Sequence, residues 1–404
     1  MDFVRLLLPL FVLLAALPGR AASSPAPQTP TLKPLTVYFF DVGQGDAALI
    51  VSPTGKTVLI DGGPPEADDT LVPRVRQLVQ GPLDLVILTH PHLDHLGGLA
   101  KVIQAVGARR FMDPGYDHPS ESYRKLLDVV GQKVGQVMTP TPNPSAPETL
   151  LTIGLGEGVT LTVLSPRAPR DPFLTHTRSD VNANSIVAKL TYGKTAFLFV
   201  GDAEPETEES LLKKPIDFTS TVLKVAHHGG RYSSTAPFLA AVKPQAAVIS
   251  CGAGNDYGHP TDEALERLGA VGARIFRTDL QGEVLAVSNG TTVTLTPKKG
   301  RSAPTVVTGQ VTGPVAKGPM PTGASSSAGG SKVVPAKGTL PAERTTPPPA
   351  ASTSGTRYVS LKGSKVFHRE DCGTLKRAKT QDRKMYNDRA SAVRERRPAE
   401  DCDP

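Results

Sequence analysis

Three histidines and an aspartate crowd into six residues, and this crowding constrains the fold more than any other feature of the sequence. His90, His92, Asp94 and His95 directly follow the apolar run Leu85–Leu88. Such a run predicts a buried strand, so the polar side chains are expected at a strand end where they can converge. Imidazole nitrogens and carboxylate oxygens are good ligands for zinc and manganese. The cluster therefore predicts a metal site.

The pattern between residues 35 and 298 alternates short apolar runs with helical stretches. Val37–Phe40, Ala47–Val51 and Thr57–Ile60 are rich in β-branched and aromatic residues and are separated by Gly, Pro and Asp, which predicts buried strands. Helical periodicity is found at Pro205–Leu212 and Thr261–Leu268. Predicted strands dominate at first, and strands then alternate with predicted helices; this order occurs twice along the region. This order predicts an α/β fold in which two sheets pack face to face with helices outside.

The N-terminal segment has the composition of an export signal. Arg5 precedes the apolar run Leu6–Leu17, and small residues around Ala21 offer a cleavage site. The run is too short to span a bilayer comfortably, so residues 1–22 are predicted to be a signal peptide, with an uncleaved anchor as the alternative. We expect export to the periplasm, cell envelope or exterior. Because no later run is long and apolar, we expect no transmembrane segment in the mature chain.

Composition also divides the rest of the chain. Residues 23–34 form a Pro/Ser/Thr-rich spacer, and residues 35–298 form the main domain. Residues 299–356 contain too little apolar patterning to offset the entropy of ordering and are predicted to be a disordered linker. Residues 357–404 regain a compact pattern, including a helix predicted near Arg389–Arg394, which indicates a small α+β module.

The positive charge is concentrated near the C-terminus. The chain carries a net charge of +7. Residues 299–356 hold six Lys/Arg and one acidic residue, and residues 357–404 hold thirteen and eight, so the remainder is net −3. A basic tail favours polyanions such as nucleic acid or an anionic membrane surface, with a solubilising role as the alternative.

The string from His90 to His95 resembles the H-x-H-x-D-H motif of the metallo-β-lactamase superfamily, and further motifs occur in the order of that family. Asp61, in Leu59-Ile-Asp-Gly-Gly63, resembles its first aspartate. Asp202 resembles the aspartate that bridges two metals, and His227-His228-Gly229 resembles the final histidine motif. The resemblance covers residues 35–290 and implies a four-layer αβ/βα sandwich.

Four shorter motifs are similar to the nuclease-like domain of the ComEC DNA-uptake proteins. They are Val42-Gly-Gln-Gly-Asp46, Asn182-Ala-Asn-Ser185, Lys224-Val-Ala-His-His-Gly229 and Tyr257-Gly-His-Pro260. ComEC proteins are membrane channels for DNA, whereas this chain has no channel. The resemblance therefore implies a freestanding, exported hydrolase with DNA as its partner, and it leaves a role in competence in doubt.

The resemblance also implies a dinuclear site for zinc or manganese. His90 and His92 would bind the first ion, Asp94 and His95 the second, and Asp202 would bridge them. We assign His227 to the second ion and His228 to catalysis, with the reverse left open. Asp61 would orient a ligand histidine and Asp94 could accept a proton from the attacking water. His259 would approach the substrate from the far rim.

The third histidine of the first site has no obvious counterpart. Candidates before Asp202 are His176, Asp180, Asn182 and Asn184. The resemblance favours Asn184 with Ser185 at this location, where they would also approach the substrate. A first site with two imidazoles would bind weakly and favour manganese over zinc.

The C-terminal module resembles the small zinc-binding module first known from the Ada DNA-repair protein. Its candidate ligands are His368, Cys372 and Cys402, but Ala399 stands where the first cysteine of a C-x-x-C pair is expected. A disulfide between Cys372 and Cys402 is the better expectation in an exported protein, with zinc binding as the alternative.

The sequence as a whole predicts an exported dinuclear metal hydrolase, acting on DNA as a phosphodiesterase or nuclease through a metal-activated water. Two alternatives stay open. One is a small-molecule hydrolase that cleaves a phosphoester, lactone or lactam. The other is a non-enzymatic surface-binding protein built on a metal-binding scaffold.

Overall fold

The computed structural model describes residues 33–300, 303–311 and 313–315, with parts of the C-terminal region: 357–362, 364, 366–369, 375, 379–386 and 397–398. The predicted signal peptide, the linker from residue 316, the helix predicted near Arg389–Arg394, Cys372 and Cys402 lie outside the described residues. Within the described ranges, no helix is long and apolar enough to cross a membrane.

The first sheet is antiparallel on one side, and its four strands from Thr57–Ile60 to Val134–Met138 are parallel. Its central strands are buried because both faces are covered, which explains their runs of Val, Leu and Ile. The strands found for this sheet among the described residues are, in spatial order, β16 (Thr305–Thr308), β15 (Thr292–Pro297), β14 (Val284–Ser288), β1 (Leu35–Phe39), β2 (Ala48–Val51), β3 (Thr57–Ile60), β4 (Leu85–Ile87), β5 (Ala108–Met112) and β6 (Val134–Met138).

The second sheet is also partly antiparallel and partly parallel. Its four strands from Thr195–Phe199 to Arg274–Arg277 are parallel. Its antiparallel part contains a bulge between Val163 and Ser165. In spatial order the strands, again for the described part of the chain, are β13 (Arg274–Arg277), β12 (Ala246–Ile249), β11 (Val222–Lys224), β10 (Thr195–Phe199), β9 (Val187–Tyr192), β8 (Val159–Ser165) and β7 (Thr152–Gly154).

The two sheets pack face to face, and helices cover their outer faces. Phe39 of the first sheet and Phe199 of the second meet in the central core with ring centroids 6.1 Å apart. Leu71 and Leu126 belong to the outer core of the first sheet, and Phe238 to that of the second. The helices are α1 (Asp68–Leu78), α2 (Leu93–Leu96), α3 (Leu99–Val106), α4 (Glu121–Lys133), α5 (Asp180–Ala183), α6 (Pro205–Leu212), α7 (Ala236–Val242), α8 (Asp262–Ala270) and α9 (Thr278–Gln281). The predicted four-layer sandwich is confirmed.

Two of the longer helices begin at side-chain caps. The Ser120 hydroxyl accepts a hydrogen bond from the Tyr123 amide at 3.1 Å, and that of Thr261 accepts one from the Ala264 amide at 3.4 Å. These bonds satisfy backbone donors that have no partner within the first turn. The caps therefore fix where α4 and α8 start.

The main domain extends beyond the boundary predicted at residue 298. Strand β16 pairs with β15, and the Asp217 amide donates to the Val315 carbonyl at 2.7 Å. Thr305–Thr308 and Val315, within the predicted linker, are therefore part of the main domain, since an edge strand needs only a few β-branched residues and one partner strand. A small separate sheet follows, in the order β19 (Arg383–Tyr386), β17 (Tyr358–Leu361), β18 (Val366–Arg369) and β20 (Arg397–Pro398).

The polar motifs lie together at one rim of the sandwich. Asp61 follows β3 and His90 follows β4, while Asp202 follows β10 and His228 follows β11. These four strands belong to the parallel parts of the two sheets. Since the crevice outside the carboxyl ends of parallel strands is where α/β folds bind ligands, the topology brings the motifs of both halves together.

Candidate metal centre

The loop that carries the histidine motif is tied to two glycine-rich loops by backbone hydrogen bonds. The Asp46 amide donates to the Asp94 carbonyl at 3.1 Å, and the Gly62 amide donates to the His95 carbonyl at 2.7 Å. A Cβ atom on Gly45 would lie 2.3 Å from the Asp94 carbonyl oxygen, so only glycine allows this approach. These contacts hold the motif in place before any ligand binds.

Four side chains form a compact donor set, which we call the four-residue cluster: Asp94, His95, Asp202 and His228. One ligand atom from each lies within 4.8 Å of the others. His95 Nε2 is 3.3 Å from Asp202 Oδ1, and His228 Nε2 is 3.1 Å from Asp94 Oδ2. Two imidazoles and two carboxylates are a donor set suited to a divalent cation.

Two buried atoms of the cluster lack hydrogen-bond partners. Within the described residues, His95 Nε2 and Asp202 Oδ1 make no hydrogen bond with acceptable geometry, although they lie close together. Buried polar atoms are normally satisfied, and each exception calls for an explanation. A cation between them would satisfy both, so the residues present fit a bound metal.

The charges of the cluster are mutually dependent. Burial raises the pKa of Asp202, but His95, His228 and His227 outweigh it and hold that pKa well below its ordinary value. Burial lowers the pKa of His228, whereas Asp202 and Asp46 raise it, to a net value of about 10. The carboxylates therefore need neighbouring positive charge, which protonated imidazoles supply here and which a cation would supply on displacing the protons.

His90 and His92, which we call the paired histidines, lie beside the cluster. His90 Nε2 is 3.1 Å from His92 Nδ1 and 3.9 Å from Asp202 Oδ2. Burial, followed by the charge of His95, holds the pKa of His90 well below its ordinary value, so its ring is neutral and its nitrogen is available. The paired histidines could hold a second cation shared with Asp202, as a half-site with fewer protein ligands.

The geometry reverses the roles that we assigned to His227 and His228. Both have left-handed backbone conformations, with φ of 50° and 53°, so adjacent side chains point in different directions from one turn. His228 is fully buried within the cluster, whereas His227 Nδ1 is 3.3 Å from Glu204 Oε1 and its Nε2 is 3.9 Å from Asp202 Oδ2. His228 thus has the position of a ligand, and His227 lies at the edge of the centre.

Asp61 lies behind the cluster. Its carboxylate accepts hydrogen bonds from His95 Nδ1 at 2.9 Å and from the amide and hydroxyl of Thr89, each at 2.7 Å. The first bond fixes the His95 tautomer so that Nε2 faces the cluster, in the manner of carboxylates behind metal-bound histidines. Its position is that of an orienting residue and not of a group that meets substrate.

Asp46 takes the corresponding position behind His228. His228 Nδ1 donates to the Ser250 carbonyl at 3.0 Å, with Asp46 Oδ1 beside it at 3.3 Å, and Asp46 Oδ2 is 2.6 Å from Lys224 Nζ. Both members of the ion pair are almost fully buried. Asp46, Asp61 and His95 also converge within 4.8 Å, but Asp46 is paired with Lys224 and Asp61 bonds Thr89 and His95 Nδ1, so we interpret these carboxylates as supporting groups.

The predicted substrate residues Asn184 and Ser185 have structural contacts instead. Asn184 bonds the backbone of Leu174 and of Asp180, and the Ser185 hydroxyl accepts from the Asp202 amide at 3.3 Å. Both residues are buried, so a substrate cannot reach them. Their small polar side chains are needed to hold the loop that supports Asp202, which explains the motif without a role in binding.

The other candidates for a third ligand also lie outside the cluster. His176 is exposed, and Asp180 accepts hydrogen bonds from the amides of His176 and Thr177. Asn182 is fully buried, and its side-chain amide lies 3.5 Å from Glu204 Oε1. In the described part of the chain, no such residue completes the half-site of the paired histidines.

His259 lines a cleft beside the cluster, together with His227 and Glu204, and its approach to a substrate stays a prediction. Its ring stacks on His228 at 6.2 Å and on Tyr257 at 5.9 Å, both with interplanar angles of 27°. Burial and the neighbouring His227 and His228 lower the pKa of His259 to about 3, so the ring is neutral. His368 of the C-terminal module is buried and lines the same cleft, while Cys372 and Cys402 lie outside the described residues.

Sequence reasoning assigned no role to Asp46, Lys224, Glu204 or Thr89. The sequence did indicate a role for Lys224, because this lysine ends a strand of otherwise apolar residues. A buried lysine is expected to be paired with an acidic residue. The motif of Lys224 and that of Asp46 were noticed, but their 178-residue separation gave no reason to connect them.

Comparison with protein families identifies one match. The model described as "Metallo-beta-lactamase superfamily" matches residues 40–253, which is slightly more than half of the chain. The matched range contains Asp61, the histidine motif, Asp202 and His228.

Curated relatives align with the same region. The chain is 31% identical to competence protein ComA of Neisseria gonorrhoeae over 61% of this chain and 31% of the relative, and 27% identical to ComE operon protein 3 of Bacillus subtilis over 61% and 32%. The chain spans about a third of the length of these relatives. Among solved structures, the metallo-beta-lactamase fold protein YhfI of Bacillus subtilis matches with a TM-score of 0.38 and 16% identity, over 61% of this chain and 96% of that protein.

Proposed function

This chain belongs to the metallo-β-lactamase superfamily, and on that premise we propose that it is an exported phosphodiesterase that cleaves DNA with two divalent cations. The observation that carries the proposal is the four-residue cluster, with two buried atoms that make no hydrogen bond among the described residues. A scaffold without catalysis would not require buried charged groups of this kind, since they are costly unless paired or bound to metal.

The positions of the residues in the centre assign them different roles. His95 and His228 present Nε2 to the centre because their Nδ1 atoms bond Asp61 and the Ser250 carbonyl, with Asp46 beside His228 Nδ1. Asp94, with 17% of its side chain exposed, is the cluster carboxylate that solvent reaches, and we assign it to receive the proton of the attacking water. When bound, a pair of divalent cations would lower the pKa of that water and neutralise the phosphate.

Two observations support DNA as the substrate. The curated relatives include a competence protein and a recombination protein by name. The segment after residue 298 carries a net charge of +10, which favours a polyanion. The main domain itself is slightly acidic, so the cations and the basic tail would have to supply the attraction.

Hydrolysis of bis-p-nitrophenyl phosphate and of single- and double-stranded DNA tests the proposal. Protein stripped with chelator should be inactive and should recover with Mn²⁺ or Zn²⁺, and His95→Ala should abolish the recovery. His176→Ala, which removes an exposed histidine outside the cluster, is the matched control and should retain activity. Equal activity in chelator, or turnover of a lactone or lactam but of no phosphodiester, would overturn the proposal.

A further inference from the structure

A cleft of about 420 Å³ opens beside the four-residue cluster. Its floor includes His227 and Glu204, which contact each other at 3.3 Å. Cavities of roughly 300–1,000 Å³ bind ligands of the size of a single nucleotide. The cleft is therefore large enough for one residue of a polymeric substrate next to the reacting bond.

One wall of the cleft is an exposed aromatic ring with a cation stacked on it. Tyr232 is 48% exposed, and the Arg178 guanidinium lies 3.4 Å from the centroid of its ring. Arg178 is oriented in turn by Glu204, with Nε 3.9 Å from Oε2. Exposed tyrosine and arginine planes of this kind are the surfaces on which unpaired bases stack.

A second aromatic surface connects the cleft with the metal centre. Tyr257 stacks on His259, and His259 stacks on His228 of the cluster. A base held near Tyr257 would therefore lie two rings away from a candidate metal ligand. The stacked rings therefore form a continuous path from the cleft to the cluster.

The C-terminal module supplies part of the lining of the cleft, through Ser364, Val366 and His368. The last two belong to strand β18. A base can stack on the aromatic lining only when it is unpaired, because a base-paired duplex presents its bases only through its grooves. The module is thus part of the cleft and not a separate surface.

Charge alone does not explain the cleft. Arg178 and Arg231 face it, but so do Glu204 and Asp256, and Arg231 is paired with Glu263 at 3.0 Å. The charges nearly balance, so binding must depend mainly on stacking and shape. This distinguishes the cleft from the basic tail, where charge dominates.

We propose that this cleft is a subsite for one unpaired nucleotide, which would stack on the lining rings of Tyr232 or Tyr257 beside strand β18 of the C-terminal module. The proposal rests on the phosphodiesterase function proposed above. It adds that the strand is bound with an unstacked base next to the scissile phosphate, and that the module shapes this binding.

Fluorescence anisotropy of a labelled twelve-residue oligothymidylate, measured on the full chain in chelator, tests the proposal without turnover. Tyr232→Ala should weaken binding about tenfold or more, because base–aromatic stacking is lost, and Tyr232→Phe should restore affinity to within about twofold. Tyr38→Ala, which removes another tyrosine covered by an arginine, is the matched control. Equal affinity of Tyr232→Ala and the wild-type chain would overturn the subsite.

The wall formed by the module is tested by filling the cleft. Val366→Trp should weaken binding of the same probe about tenfold, whereas Val306→Trp, on an exposed strand position outside the cleft, should not. Thermal unfolding verifies that each variant folds. Wild-type turnover of bis-p-nitrophenyl phosphate tests the proposed function separately, because its absence would overturn that function while the anisotropy results would still decide the subsite.

Discussion

The two halves of the candidate metal centre, the four-residue cluster and the paired histidines, differ in how firmly hydrogen bonds hold their ligand side chains before a metal binds. In the four-residue cluster, ligand atoms already lie within 4.8 Å of one another, and both histidines bond buried acceptors through Nδ1, His95 to Asp61 and His228 to the Ser250 carbonyl. The paired histidines have weaker support among the described residues, since His90 Nδ1 lies 3.1 Å from the Thr89 hydroxyl and His92 is partly exposed. Ligands held by supporting hydrogen bonds bind metal more tightly than ligands that must be ordered on binding. The comparison therefore predicts one strong and one weak ion site.

Asp202 connects the two halves, so changing it should have the largest effect. Its carboxylate lies 3.3 Å from His95 and 3.9 Å from His90. We expect Asp202→Asn to lower kcat/KM for bis-p-nitrophenyl phosphate about a thousandfold, because charge stabilisation at both ions is weakened. Asp69→Asn, on an exposed position of α1, should behave as the wild-type chain. A tenfold or smaller loss would mean that Asp202 does not bridge the halves.

The difference between the halves should appear directly in metal titrations. Calorimetry with Mn²⁺ and chelator-stripped protein should show two steps that differ at least tenfold in affinity. His228→Ala should remove the stronger step and His92→Ala only the weaker one. If His92→Ala removed the stronger step instead, the ranking of the halves would be wrong.

The carboxylates behind the cluster should matter less than the ligands themselves. Asp61→Asn and Asp46→Asn should each weaken the stronger ion site by about tenfold to a hundredfold, as is usual for groups that orient metal-bound histidines. Metal content after dialysis against graded chelator measures this. Matching losses in Thr195→Val, whose buried hydroxyl bonds Tyr192 and Ser288, would show that general packing, and not the carboxylates, sets the affinity.

The ion pair between Asp46 and Lys224 can be tested separately through its effect on stability. Removing Lys224 alone, as Lys224→Met, leaves the buried Asp46 carboxylate without its cation and should cost about 3–5 kcal/mol of unfolding free energy. The double variant Asp46→Asn/Lys224→Met should recover most of that loss. Chemical denaturation of the chelated chain measures both, and additive losses would contradict the pairing.

The smallest expected effect concerns the loop that follows the His227–His228 turn. Burial raises the pKa of Glu208 to about 7, although it accepts hydrogen bonds from the amides of Ser234 and Thr235. The unfolded chain releases this proton at lower pH than the folded chain, so the free energy of unfolding should fall between about pH 4.5 and 7.

Glu208→Gln tests this pH dependence. The substitution should remove a fall of roughly 2 kcal/mol across that range, and Glu209→Gln, exposed on the same helix, should not. Urea denaturation at several pH values compares the variants. A wild-type chain whose stability rises with pH over this interval would contradict the assignment.

The sequence predicted the sandwich and the histidine motif because both are local patterns. Buried strands such as Thr57–Ile60 are continuous apolar runs, and His90 to His95 are contiguous. Helix α1 was missed because Pro73 argues against a helix, and strand β16 because its surroundings have the composition of a linker. Composition over a long window hides a four-residue edge strand.

The assignment of individual site residues was harder, because it depends on geometry that the sequence does not encode locally. His227 and His228 are chemically identical neighbours, and only two left-handed backbone conformations decide which one enters the cluster. The Asp46–Lys224 pair joins residues 178 positions apart. Neither relationship leaves a periodic or compositional trace.

The origin of the cluster in two different sheets has a mechanical consequence. Asp94 and His95 come from the half built on the first sheet, and Asp202 and His228 from the half built on the second. An ion bound by all four would act as a cross-link across the seam of the sandwich, and by mass action it would shift the whole chain toward the folded state. Loss of the ion would then weaken the contact between the two sheets as well as abolish catalysis. A protease should therefore cleave the metal-free chain faster than the metal-bound chain before any substrate is added.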